Sequence, residues 1–235
     1  MTAAVAAPFL TSSNAAQAEV SISGNVALTT DYRFRGISQS DSAPSIQGGF
    51  DVAWDSGFYI GTWGAAVDFD SSSDIGLNGG IELDYYAGFA GSFGESGVGY
   101  DVGYLYYDYP QDEALLGDYQ EVYGSLSFNS LTLGLNYSDD YWGESGEFYY
   151  IYGSYSFALP NDISLDVLLG RGNYDEVIYL SDGADSHLNW VVSLTKAVGG
   201  VDFTLAYEDT NLSKSEVYGY DWAEATLIFT AAKSL

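Results

Sequence analysis

The sequence predicts an all-β fold: a transmembrane antiparallel up-and-down β-barrel of about 12 strands. Three observations predict it. From Val20 onward, apolar residues recur at every second position, the period of half-buried strands. The connections alternate between short turns and long acidic loops. The acids of the strands fall on the face opposite the apolar one.

Composition narrows the class. The chain has 235 residues, 33 acids against 6 bases, and a net charge of −27. A disordered acidic chain is excluded by a 17% aromatic content alongside many Val, Ile and Leu residues. Such a field repels phosphates, so no nucleic acid is expected as a partner. No window approaches the roughly 18 consecutive apolar residues of a spanning helix. Cys is absent, which removes disulfides, thiolate catalysis and Cys-ligated metals.

Residues 1–18 read as a signal peptide. A short apolar run, Met1 to Leu10, precedes the A-x-A cleavage pattern Ala16-Gln17-Ala18, leaving 19–235 as the barrel.

The strands follow in order, each given by its apolar face. The first carries Val20, Ile22, Val26, Leu28, Tyr32 and Phe34. The second carries Ile46, Phe50, Val52 and Trp54, and the third Tyr59, Trp63, Ala65, Val67 and Phe69. The fourth has Ile81, Leu83, Tyr85, Ala87, Phe89 and Phe93; the fifth has Val98, Tyr100, Val102, Tyr104 and Tyr106. Val122, Leu126 and Phe128 mark the sixth, and Leu131, Leu133, Leu135 and Tyr137 the seventh. The eighth shows Tyr149, Ile151, Tyr155 and Phe157, and the ninth Ile163, Leu165, Val167 and Leu169. The last three show Leu188, Trp190, Val192 and Leu194; Val201, Phe203, Leu205 and Tyr207; and Ala223, Ala225, Leu227, Phe229 and Ala231.

The connections sort by side. Asp55-Ser56-Gly57, Gly94 to Gly97, Asn129-Ser130, Pro160 to Asp162 and Thr195 to Gly200 are short. The alternate ones are long, polar and acidic, as extracellular loops are in outer-membrane barrels. Tyr, Trp and Phe gather near strand ends, as aromatic girdles do. Both patterns turn the apolar face towards lipid, with outer-membrane lipid and lipopolysaccharide as neighbours.

At Asp31-Tyr32-Arg33-Phe34-Arg35-Gly36, Gln47-Gly48-Gly49-Phe50-Asp51 and Ser56-Gly57-Phe58-Tyr59 the chain resembles the TorF family of outer-membrane porins. The resemblance covers Glu19 to Leu235 and implies a membrane barrel in the bacterial outer membrane. The chain departs from outer-membrane barrels in ending on Leu235 rather than on an aromatic.

Inward parity selects the expected pore lining: Arg33, Arg35, Asp51, Glu82, Asp84, Asp101, Glu121, Asp166 and Glu224. The two Arg lie beyond the roughly 9–11 residues that cross the bilayer, so they are expected inside the outer mouth. If the first and last strands pair, Arg33 comes near Trp222 and Glu224. The guanidiniums either filter ions within a ring of carboxylates or brace a wall of like charge.

The expected function is a passive, cation-leaning diffusion channel for small solutes or ions. The alternative is a plugged barrel with a structural or surface-interaction role, because a small barrel leaves little bore. An outer-membrane hydrolase is third. His187 is the one His, but the adjacent Ser186 has the opposite parity and no Gly-x-Ser-x-Gly occurs. No enzyme activity and no cofactor is expected. Loop acids such as Asp68, Asp70, Asp74, Asp139, Asp140 and Glu144 lack the spacing of a calcium loop.

Overall fold

The computed structural model describes residues 20–69, 80–111, 117–175 and 180–235. The signal-peptide expectation, and Asp70 and Asp74, lie outside the described residues. Among the described residues fourteen strands run in chain order: β1 (Val20–Thr29), β2 (Arg33–Phe34), β3 (Ile37–Ser38), β4 (Ser45–Trp54), β5 (Phe58–Val67), β6 (Gly80–Ser92) and β7 (Val98–Asp108) come first. Then come β8 (Tyr119–Phe128), β9 (Leu131–Ser138), β10 (Phe148–Leu159), β11 (Ile163–Tyr174), β12 (Ser186–Val198), β13 (Val201–Thr210) and β14 (Thr226–Ser234). A 3₁₀ turn, Lys214–Val217, lies between β13 and β14.

Twelve of these strands form one closed antiparallel barrel; β2 and β3 form a separate two-stranded hairpin. Closure matters physically, because an open sheet edge would leave unpaired amides in hydrocarbon. β1 meets β14 with Leu28 opposite Ala231 and Val26 opposite Lys233. The seam is finished by Gly24 and Leu235, which exchange backbone hydrogen bonds in both directions. The two-residue turn Gly199-Gly200 between β12 and β13 has positive φ at both positions, as a type I′ hairpin turn requires.

The exterior is apolar. Ile22, Leu28, Ile46, Phe50, Phe89, Val122, Leu133, Ile151, Leu169 and Leu227 are exposed, each at an outward position of its strand. A soluble protein would not leave such a continuous belt in water. The sides are also sorted: the turns at one end are short, and the connections at the other hold the long loops.

Three expectations need correction. Tyr59, Trp63, Ala65, Val67 and Phe69 do not face lipid; Tyr59, Ala65, Val67 and Phe69 are buried, and Ile60 takes the exposed side of β5. The reason is the turn. Trp54 and Phe58 flank a three-residue loop, and the ladder pairs Val52 with Ile60, so the even-numbered residues share the outer face. Tyr32 and Phe34 do not continue the first strand to the lipid boundary. β1 ends at Thr29, Tyr32 is buried and Phe34 half-buried. Ala223 precedes β14 and is buried, with its carbonyl accepting from the Thr210 hydroxyl.

Candidate functional site

The loop between β1 and β4 enters the lumen as a hairpin. Arg33 pairs with Ser38 and Phe34 with Ile37, leaving Arg35-Gly36 as the turn. Both turn residues have positive φ, 52° and 92°. Gly36 is required twice over: a Cβ there would clash with Thr210 Cγ2 and stand 2.8 Å from Asn189 Cβ. The tip therefore presses on the wall at β12 and β13. The base is tied by backbone bonds, with Ser38 N–H donating to Trp222 O and Asp68 N–H to Gln39 O.

Charge fixes the hairpin more firmly. Arg35 donates Nη1 and Nη2 to the two oxygens of Glu121 on β8, at 2.6 and 2.7 Å. Asn136 and Tyr107 also donate to Glu121. The guanidinium lies 4.4, 4.6 and 4.9 Å from the ring centres of Phe34, Tyr150 and Phe148. Arg33 Nε donates to Asp31 at 2.7 Å, and its Nη1 donates to the backbone carbonyl of Glu224 at 2.7 Å. Asp31 also accepts from Ser38. His187 Nε2 donates to the Arg35 carbonyl at 2.8 Å while Nδ1 accepts from the Tyr174 hydroxyl. That uses both ring nitrogens of a neutral imidazole. Ser186 lies on the other face, bonded to Asp185 and Arg171, so Ser186 and His187 are not a nucleophile–base pair.

The outer half of the lumen is consequently packed. Arg33, Arg35, Glu82 and Glu121 are at most 4% exposed. Glu82 accepts from the hydroxyls of Tyr32 and Tyr109. Asp84, two residues further along β6, is also buried, and its Oδ1 has no hydrogen-bond partner. The periplasmic half is looser. Asp51, Asp101 and Asp166 are half-buried inward residues. Tyr86 donates to Asp51, Tyr59 to Asp101, and Ser164 to Asp166. Glu224 stands apart from the other eight pore-lining candidates. Its carboxylate is exposed in the β13–β14 connection, 3.3 Å from Lys214.

Sequence parity set His187 on the inward side near the outer end, but it missed the hairpin, and with it the buried partners Asp31, Tyr32, Ser38 and Tyr150. One signal for it was present: Arg35-Gly36 between short alternating segments is a two-residue turn pattern.

A closed twelve-stranded barrel, an apolar belt towards lipid, a polar lumen and loops sorted by side define a bacterial outer-membrane β-barrel of porin architecture. The chain belongs to the Gcw_chp family, described as a bacterial protein of unknown function, whose model matches residues 13–235. No curated protein matches it. Among solved structures, it is similar to a NanC porin at 11% identity and a TM-score of 0.55, covering 90% of this chain and 98% of that one. It is similar to a KdgM porin at 8% identity and a TM-score of 0.53, covering 90% and 97%. A KdgM porin in complex with disordered oligogalacturonate matches at 9% identity and a TM-score of 0.52, covering 91% and 96%. At these identities the likeness is one of fold.

Proposed function

We propose that this protein is a passive, cation-leaning diffusion channel for small solutes or ions, narrowed in its outer half by the β2–β3 hairpin. One observation carries the reading. Of the six basic residues, only Arg33 and Arg35 lie in the lumen, and each is paired with a carboxylate. Glu82, Asp84, Asp51, Asp101, Asp166 and Glu208 are among the inward acids that make no ion pair among the described residues. Fixed negative charge in a narrow low-dielectric bore concentrates cations and repels anions. The TorF-like segments around Arg33–Gly36 and Gln47–Asp51 support the porin class. Oligogalacturonate, held by one KdgM porin, is a polyanion, and the charge of this lumen argues against a solute of that kind. Lipid and lipopolysaccharide are the expected neighbours of the outer belt.

A second reading has its own observation. The near-complete burial of Arg33, Arg35, Glu82 and Glu121 favours a barrel that the hairpin plugs. Planar-bilayer recording across a KCl gradient separates the two. The channel reading expects ohmic steps with a reversal potential displaced towards the K⁺ equilibrium value. Silent membranes at saturating protein support the plug instead.

A further inference from the structure

We infer that the Glu82–Asp84 step on the inner wall of β6 is a binding station for an alkali-metal cation, an inference that rests on the cation-leaning channel reading. Glu82 and Asp84 are successive inward residues, roughly 6.6 Å apart along the strand. Both are buried, at 1% and 4% exposure, in the outer half of the lumen. The ion pairs of Arg33 and Arg35 are made with Asp31 and Glu121. Two buried carboxylates without counter-charge are costly, a cost that a proton or a bound cation relieves.

The neighbours of the two acids differ. Glu82 is served by two phenol hydroxyls, from Tyr32 and Tyr109. Asp84 is not. Its cross-strand neighbours are Trp63 on β5 and Tyr107 on β7. Trp63 packs edge-on against Tyr32, and the Tyr107 hydroxyl donates to Glu121. Asp84 Oδ1 is thus a buried acceptor, without a donor, beside a second carboxylate. A small cation would coordinate that oxygen directly and offset its charge. The chemistry favours a monovalent ion that keeps part of its water. Among the described residues no group of three His, Cys, Asp or Glu side chains could hold a metal ion, so a divalent ion wanting a full oxygen shell is poorly served.

The test is thermal unfolding of the full-length barrel in detergent, in KCl and in N-methyl-D-glucamine chloride at equal ionic strength. The organic cation is too bulky to enter a packed lumen. Wild type is expected to melt higher in KCl by about 2–4 °C. Asp84→Asn, which keeps the shape and removes the charge, is expected to abolish most of that difference, and Glu82→Gln to reduce it. Equal melting of wild type in the two salts overturns the inference without any variant. A K⁺ effect undiminished in a folded Asp84→Asn barrel also overturns it. Bilayer reversal potentials on the same preparations keep the two claims apart: lost cation preference with an intact K⁺ shift counts against the channel reading alone, and the converse counts against the station alone.

Discussion

The two halves of the lumen share a charge sign but differ in construction. On the outer side, the hairpin fills the bore and its guanidiniums are buried against carboxylates. On the periplasmic side, Asp51, Asp101 and Asp166 stay partly accessible and are held by neutral hydroxyls. The difference follows from partners. Removing one member of a buried ion pair strands a charge in a poor solvent, whereas a half-exposed carboxylate that loses a phenol can turn to water. The outer half is therefore the part of the lumen that substitutions should unlock.

Arg35→Ala should have the largest effect of the point changes. It leaves Glu121 buried without its cation, a loss of roughly 3–5 kcal/mol. Denaturant unfolding should register most of that loss, and bilayer recording should show larger or noisier steps as the hairpin leaves its seat. Arg35→Lys should fall between the two, since an ammonium cannot reproduce the bidentate bond or the stacking on Phe34, Phe148 and Tyr150. An Arg35→Ala protein with wild-type stability and wild-type conductance would remove the hairpin from the account of the constriction.

Gly36→Ala should act next. An alanine at φ 92° is strained and meets Thr210 and Asn189, at a cost of roughly 1–3 kcal/mol. Because the charges are kept, the expected change is in step size rather than in ion preference, read from conductance and reversal potential on the same channel. Tyr59→Phe in the periplasmic half should be smallest. It removes the hydroxyl that donates to half-buried Asp101 and bonds the Tyr123 hydroxyl, each bond worth within about 1.5 kcal/mol, and should leave step size nearly unchanged. A Tyr59→Phe effect as large as that of Arg35→Ala would erase the contrast between the halves.

Most of the barrel was legible in the sequence because a two-residue period and one lipid-facing side leave little freedom in register. Eleven of the twelve apolar faces follow that rule over the spanning strands. β5 broke it because its large residues, Tyr59, Trp63 and Val67, fill the lumen, while its outer side carries Thr62, Gly64 and Ala66 beside Ile60. The parity of the Asp55-Ser56-Gly57 turn held the answer, since an odd-length loop puts Trp54 and Phe58 on one face. The hairpin was hidden for a related reason. Asp31 to Phe34 keeps the alternation of β1, so periodicity alone extends the strand. Only the Arg35-Gly36 turn marks the change of direction. Which acids would be buried and which accessible depends on where that hairpin lands, a long-range fact that no local pattern encodes.

The most direct test replaces residues 31–42 with a short Gly-Ser link and compares single-channel conductance with wild type in the same bilayer. The hairpin as constriction predicts conductance raised severalfold, with cation preference retained through Asp51, Asp101 and Asp166. A folded, inserted barrel whose conductance is unchanged by the replacement would contradict it.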